Sequence, residues 1–253
     1  MYTPPHVLIV NHPGSGADDA DLPKIAAALA RQVEEHFAPF YGVTCTVGSV
    51  ASTFTDFDHT KLPPGTWIIG LFKDADQPGA LGYHDMTVHG EPLAKVFPLL
   101  DKQDGGELSV TISHELLEML ADPYLSKAVQ ASDGKFWAYE VCDAVEEDQY
   151  QIDGVFVSNF VTPHYFEPPQ DLAGLFFDYM KLVTKPFEVR PGGYMQWHNG
   201  SGGWHQVEAQ HMPPRSYRAS LHKPSRAKLR AKTHAVSRPV PTAIPGSGVA
   251  QHD

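Results

Sequence analysis

Residues 110 to 122, VTISHELLEMLAD, form a predicted helix whose charged side chains all fall in one narrow sector. On a helical wheel, successive residues are about 100° apart around the helix axis. If His114 is set at 0°, Glu118 lies at about 40°, Asp122 at about 80° and Glu115 at about 100°. Most of the other positions are apolar, so the buried surface of the helix is wide and its polar stripe narrow. The rest of the chain must therefore build a core around most of this helix.

The polar stripe has two explanations, because a stripe of this kind usually faces water but can also hold a cation. Three carboxylates are offset by no Lys or Arg, and like charges four residues apart, such as Glu118 and Asp122, are mildly destabilising. The helix dipole also disfavours an anion at the position of Asp122. Asp122 and Pro123 are themselves better explained as a helix cap and the first residue of the next turn.

The spacing of His114 and Glu118 suits a metal ion, because side chains four residues apart project side by side from a helix. With Glu115 they form HELLE, which differs from the HExxH pattern of zinc peptidases in having Glu118 in place of the second histidine. In HExxH, the glutamate beside the first histidine accepts a proton from the metal-bound water. Glu115 is therefore the candidate general base.

Strands and helices alternate ahead of this helix. Residues 6 to 11 and 66 to 72 are apolar runs typical of buried strands, and residues 43 to 50 form a further predicted strand. A helix is predicted from Asp21 to Pro23 onwards, because apolar residues recur every fourth position. Its apolar positions are Ile25, Leu29, Val33 and Phe37. Residues 80 to 97 indicate an exposed edge strand and a return strand, with a turn at Gly90 to Pro92.

After the helix, Asp153-Gly154 between two β-rich runs predicts a hairpin. Residues 168 to 183 predict one more helix, beginning at Gln170 to Asp171, with apolar residues on one side. Residues 190 to 204 are rich in glycine and aromatics and form either irregular structure or a closing hairpin. Residues 216 to 253 are rich in Ser, Pro, Ala, Lys and Arg, which predicts a disordered tail.

Composition limits the partners and the chemistry. The chain has 253 residues, 42% of them hydrophobic, which is enough for a large core, and it has no apolar run near the roughly 20 residues of a membrane span. Without a recognisable signal peptide, we expect a cytoplasmic protein or one released by another route. The two cysteines have no CxxC spacing, so any metal must be bound by His, Asp and Glu.

Charge is distributed unevenly along the chain. Residues 216 to 253 carry seven Lys or Arg and one acid, a net charge of +6, which leaves −17 on residues 1 to 215 out of a total of −11. We expect no membrane partner, and no nucleic-acid partner except through the basic tail.

The motif and the order of the elements resemble the zincin-like metallopeptidases. In residues 6 to 121 the predicted order is strand, helix, strand, strand, exposed edge strand and active-site helix, as in that fold. The segments SHELLEMLADP, YEVCD and VSNFVTPHYF are also similar to an uncharacterised group of bacterial and phage-associated proteins. The resemblance implies an α+β fold for residues 1 to 215, in which a mixed twisted sheet with an exposed edge strand packs against the active-site helix. It also implies that a peptide or protein substrate binds by adding a strand to that edge.

One divalent metal is implied, zinc first and manganese as the alternative, because a carboxylate ligand at Glu118 favours harder ions. His114 and Glu118 are the first two ligands. Related metallopeptidases often take a third, acidic ligand from further along the chain, and Glu140 and Asp143 in YEVCDAVEED fit that position. In a strand those two would point to opposite faces, so only one would bind unless the chain turns there.

Other polar residues are weaker candidates. His164 is the next choice for a third ligand, and His84 and His89 are expected to contact substrate or solvent. Three tyrosines could stabilise an oxyanion: Tyr83, Tyr139 and Tyr165. A second metal site, less favoured, would use His198, His205 and His211.

The leading functional hypothesis is a metal-dependent hydrolase, with a peptidase as the first choice and Glu115 as its base. The alternative is a non-catalytic, zincin-like binding or assembly protein, associated with a virion or a secretion system, whose basic tail docks on an acidic partner. A sugar hydrolase is disfavoured, because Glu115 and Glu118 are three residues apart on one helix and cannot face each other across a cleft.

Overall fold

The computed structural model describes residues 3–51, 63, 65–77, 80–87, 89–200 and 203–209. The predicted basic tail, residues 216 to 253, lies outside this part of the chain, and so does His211.

Five strands form the main sheet, and their order across it is β2-β1-β3-β5-β4. Strands β2, β1, β3 and β5 pair in parallel, whereas the edge strand β4 runs antiparallel to β5. The strands are β1 (His6–Asn11), β2 (Thr46–Ala51), β3 (Thr66–Leu71), β4 (Gly82–Met86) and β5 (Pro92–Val96). The mixed sheet and the position of β4 at its edge agree with the prediction, and so does the turn between β4 and β5.

Helices pack against this sheet and against one another. Helix α1 continues through a π-helical segment, Gln32–Phe37, into the short helix α2. All four of the apolar positions predicted for this region are buried in the core. The helices are α1 (Leu22–Arg31), α2 (Ala38–Tyr41), α3 (Pro98–Gln103), α4 (Leu108–Ala121) and α5 (Pro163–Phe166).

Two smaller sheets complete the described fold. Strands β8 and β9 form the predicted hairpin, with Asp153 and Gly154 both at positive φ, as a tight two-residue hairpin turn requires. Strands β10 and β11 form the closing hairpin, and β10 also pairs with β7. The strands are β6 (Ala128–Gln130), β7 (Phe136–Ala138), β8 (Gln149–Ile152), β9 (Val155–Ser158), β10 (Tyr194–His198) and β11 (His205–Glu208).

A buried polar network fixes α4 against the π-helical segment and β9. The Ser113 hydroxyl donates to Gln32 Oε1 at 2.7 Å and accepts from the Ser158 N–H at 3.0 Å. The Gln32 amide in turn donates to the Ser158 carbonyl at 2.9 Å. Because the main polar groups of this network are satisfied, they set the position of α4 without the cost of unpaired buried groups.

The prediction of a helix in residues 168 to 183 is wrong. Gly174 and Lys181 adopt positive φ, and Asp178 forms an isolated β-bridge with Val161. The Asp178 carboxylate accepts hydrogen bonds from the Asn159 side chain and, within the segment, from the Val183 N–H, and these bonds hold Asp178 outside any helix. Leu172 and Phe176, which belong to the apolar side of the predicted helix, are exposed.

The described fold is thus α+β, with helices and mixed sheets as predicted. Among the described residues, every helix is too short or too polar to cross a membrane.

Candidate metal centre

Helix α4 carries its polar stripe into the protein interior. The helix ends at Ala121, and Asp122 caps it. The helix packs against β4, β5 and β9. Glu115 and Glu118 are almost completely buried, and His114 is only 6% exposed. The explanation in which the stripe faces water is therefore wrong for these three residues. Buried carboxylates require a counter-charge or hydrogen-bond donors.

Three side chains converge at one end of this stripe. His114 Nε2 lies 3.3 Å from Glu118 Oε1 and 3.2 Å from Asp143 Oδ1. The three candidate ligand atoms all lie within 4.8 Å of one another. Ligands at the corners of a tetrahedron, each about 2.0–2.2 Å from a zinc ion, are about 3.3–3.6 Å apart. The spacing of this group, which we call the His114 group, therefore fits one ion.

The chain turns at the segment that supplies Asp143. Cys142 has helical backbone angles, and a 3₁₀ turn, Asp143–Val145, begins directly after it. The Cys142 N–H donates to Glu118 Oε1 at 3.2 Å, which ties this segment to α4. Of the two predicted acidic ligands, Asp143 is the one that the structure places beside His114.

A second group forms on the other side of Glu118. His84 Nδ1 lies 3.5 Å from Glu118 Oε2 and 3.6 Å from Glu115 Oε2. These three residues also offer ligand atoms within 4.8 Å of one another, and we call them the His84 group. The expectation that His84 contacts solvent is wrong, because its side chain is fully buried.

One pattern in the sequence could have identified His84 as a site residue. Gly82, His84 and Met86 alternate along β4 and therefore share one face of the strand. In the structure, β4 packs against α4, so this face meets the polar stripe. Gly82 makes close packing possible, since a Cβ there would lie 3.0 Å from Glu115 Oε1.

Glu140 faces the other nitrogen of the same imidazole. Glu140 Oε2 lies 3.7 Å from His84 Nε2, and Glu140 is buried. A carboxylate behind a ligating histidine orients the ring and fixes its tautomer. The structure thus places Glu140 next to His84, and not in the His114 group.

Electrostatics inside the cluster depend on the buried carboxylates. Burial alone would lower the pKa of His84, but the negative charges of Glu140, Glu115 and Glu118 outweigh it and raise that pKa to about 10. Without a metal ion, a proton on His84 therefore supplies positive charge to the site. Burial and the nearby Glu118 raise the pKa of the Cys142 thiol well above its usual value, so this thiol stays protonated.

The other histidine candidates lie elsewhere. His89 and His164 are exposed. His198 stacks on Phe136, and His205 stacks on Trp197. Within the described residues, neither His198 nor His205 belongs to a group that could hold a metal.

The tyrosines and Asp122 also have other contacts. The Tyr83 hydroxyl donates to the Asp76 carboxylate, and the Tyr165 hydroxyl donates to the Glu188 carbonyl. The Tyr139 ring stacks on Phe166. The Asp122 carboxylate accepts the N–H groups of Ser126 and Lys127 at 3.0 and 2.9 Å. Asp122 thus closes the turn after the helix, in agreement with its interpretation as a helix cap.

Comparisons of the chain with family models, with curated proteins and with solved structures found no match.

Proposed function

We propose that this protein is a metal-dependent hydrolase with a zincin-like arrangement of its main sheet and helix α4, and that it cleaves peptides. The observation that carries the proposal is the buried convergence of His114, Glu118 and Asp143, with Glu115 next to His114 on the same helix. The order of the elements up to α4 and the antiparallel edge strand β4 add support.

The donor set fits a divalent metal. His114 Nε2, one Glu118 oxygen and one Asp143 oxygen would hold it, and a tetrahedral ion with three protein ligands keeps one position for water or substrate. Such an ion would polarise a substrate carbonyl and lower the pKa of a water molecule. One nitrogen and two carboxylates leave the ion less positive than a pair of histidines would, so manganese fits as well as zinc.

Glu115 supplies the proton chemistry in this proposal. Its carboxylate accepts the proton of the attacking water and then delivers it to the leaving amine of the cleaved peptide. Close packing against Gly82 limits the movement of the side chain, so the carboxylate is positioned before the substrate arrives.

Peptide hydrolysis by the purified full-length protein tests the proposal. After loading with zinc or manganese, the wild type should cleave a mixture of quenched fluorescent peptides, a chelator should stop the cleavage, and added metal should restore it. His114→Ala should be inactive, whereas His164→Ala, which removes an exposed histidine, should keep the wild-type rate. If cleavage persists in His114→Ala, or the loaded wild type cleaves nothing, the proposal fails.

Strand β4 is the proposed binding edge for the peptide. The Thr87 N–H donates to the Glu91 carbonyl, and the Leu81 carbonyl accepts from the Phe97 N–H. In an antiparallel pair, alternate residues direct their backbone groups toward the partner strand, so the N–H of Met86, which lies between these positions, points away from the sheet. That N–H donates locally to Asp85 Oδ1 at 2.7 Å, and a peptide carbonyl can replace this acceptor.

Met86→Pro should therefore weaken substrate binding. Proline removes the outward N–H but is tolerated on an edge strand. Loss of one hydrogen bond predicts a fall in kcat/KM of about 2- to 12-fold, seen mainly in KM. Met86→Ala keeps the N–H and is the matched control. Equal kinetics for the two variants would show that the peptide does not bond to this position.

A second candidate function is favoured by the burial of the cluster. Structural metal sites are closed, whereas catalytic sites keep an open position, and His114, at 6%, is more exposed than Glu115, Glu118 or Asp143. In this candidate the ion fixes the fold of a binding or assembly protein. It predicts a metal-loaded protein that is stable and cleaves no peptide.

A further inference from the structure

We propose that the buried cluster binds two divalent metal ions and that Glu118 bridges them. The first ion belongs to the His114 group, and in this respect the inference rests on the proposed function. The second is bound by His84 Nδ1, Glu118 and Glu115 Oε2, which leaves Glu115 Oε1 as the oxygen that accepts a proton in the proposed function.

The two oxygens of Glu118 face different histidines. Oε1 is 3.3 Å from His114 Nε2, and Oε2 is 3.5 Å from His84 Nδ1. The two groups of candidate ligands have only Glu118 in common. A carboxylate that presents one oxygen to each of two ligand sets is a natural bridge, and ions in two-metal hydrolytic sites lie about 3.5–4 Å apart.

His84 supplies the observation that points to a ligand. Its side chain is fully buried, and neither ring nitrogen makes a hydrogen bond with a described residue. Leaving a buried polar group in this state is costly, so such a group requires an explanation. A metal ion at Nδ1 provides one, and Glu140 beside Nε2 is placed to orient the ring.

The distances separate this explanation from a simple ion pair. Charge-assisted bonds from an imidazolium to carboxylates are about 2.7–2.9 Å long. The distances from His84 to Glu115, Glu118 and Glu140 are 3.6, 3.5 and 3.7 Å. Ligands that surround one zinc ion are about 3.3–3.6 Å apart, which matches the two Nδ1 distances.

Charge balance favours the same count of ions. Four carboxylates converge on the two histidines, those of Glu115, Glu118, Glu140 and Asp143. When they are ionised and the imidazoles are neutral, their charge is −4, which two divalent ions neutralise and one ion does not.

Metal stoichiometry and spectroscopy of the full-length protein test the inference. After loading with Mn²⁺ and removal of free ions, elemental mass spectrometry should give two equivalents for the wild type. His84→Ala should bind one, and His89→Ala, the matched control at an exposed histidine of the adjacent turn, should bind two. Electron paramagnetic resonance of the loaded wild type should show two coupled Mn²⁺ ions.

Each result decides the matter. One equivalent in the wild type, two in His84→Ala, or two uncoupled ions would overturn the inference. If His84→Ala does not fold, the wild-type stoichiometry and its coupled spectrum decide. Peptide cleavage is not used here, so a wild type with two coupled ions and no activity would support this inference while the proposed function fails. A wild type with one ion and full activity would overturn this inference while it supports the proposed function.

Discussion

Removal of the bound metal with a chelator should lower the melting temperature of the protein by about 8–16 °C. Metal that binds only the folded chain stabilises it by about 4.1 kcal/mol at a free concentration 1,000 times its Kd. Each kcal/mol shifts the melting temperature by about 2–4 °C in a domain of 150–250 residues. The effect is large because the folded chain holds its buried carboxylates together whether or not a cation is present.

Glu118→Gln should abolish this metal-dependent shift. Glutamine keeps the size of the side chain and an oxygen that can accept the Cys142 N–H, but it lacks the charge needed by both groups of ligands. In chelator, the variant should unfold at the same temperature as the metal-free wild type or above it, because it removes one of several like charges that repel one another.

Glu107→Gln is the control for this measurement. Glu107 is the exposed residue before the same helix, and its side chain makes no capping hydrogen bond. This variant should keep the full shift in calorimetry or a dye-based thermal scan. A wild type whose melting temperature responds neither to chelator nor to added zinc or manganese would contradict the prediction.

Local patterns in the sequence predicted much of the fold. The period of the apolar residues indicated α1 and α4, and turn chemistry located the β8–β9 hairpin at Asp153-Gly154. These signals are local, because periodicity and positive-φ turn positions depend on residues close in the chain. The prediction for residues 168 to 183 was wrong because Asp178 accepts a hydrogen bond from Asn159, 19 residues earlier, and forms a β-bridge with Val161, and these tertiary contacts outweigh a helical pattern.

The candidate site was predictable only where its residues share one element. His114, Glu115 and Glu118 lie on α4, so helix geometry alone brings them together. His84 comes from a strand 30 residues earlier, and its meeting with α4 depends on the packing of β4 against that helix. Spacing along the chain cannot show this, since it depends on tertiary structure.

Asp143 and Glu140 illustrate the same limit. The sequence identified both as acidic residues that could reach the helix, but a strand would have separated them. The turn that begins at Cys142 places Asp143 beside His114 and leaves Glu140 facing His84. This turn decides which acid lies beside which histidine, and the sequence does not show that the chain turns here.

Glu115→Gln should reduce the rate of peptide hydrolysis by about 10²- to 10⁴-fold, the usual contribution of a general base. The amide has nearly the same shape and fits the space beside Gly82, but it cannot accept a proton at neutral pH. The loss should appear in kcat, because the chemical step is slowed while the peptide-binding edge at β4 is unchanged.

Metal content must be measured for the same Glu115→Gln sample, because Glu115 also belongs to the His84 group. Loss of kcat with the ion of the His114 group retained would identify Glu115 as the proton acceptor. Loss of that ion together with activity would show that Glu115 acts through metal binding and not as the base. Glu107→Gln, at the start of the same helix, should keep the wild-type kcat and metal content, and full activity in Glu115→Gln would rule out this mechanism.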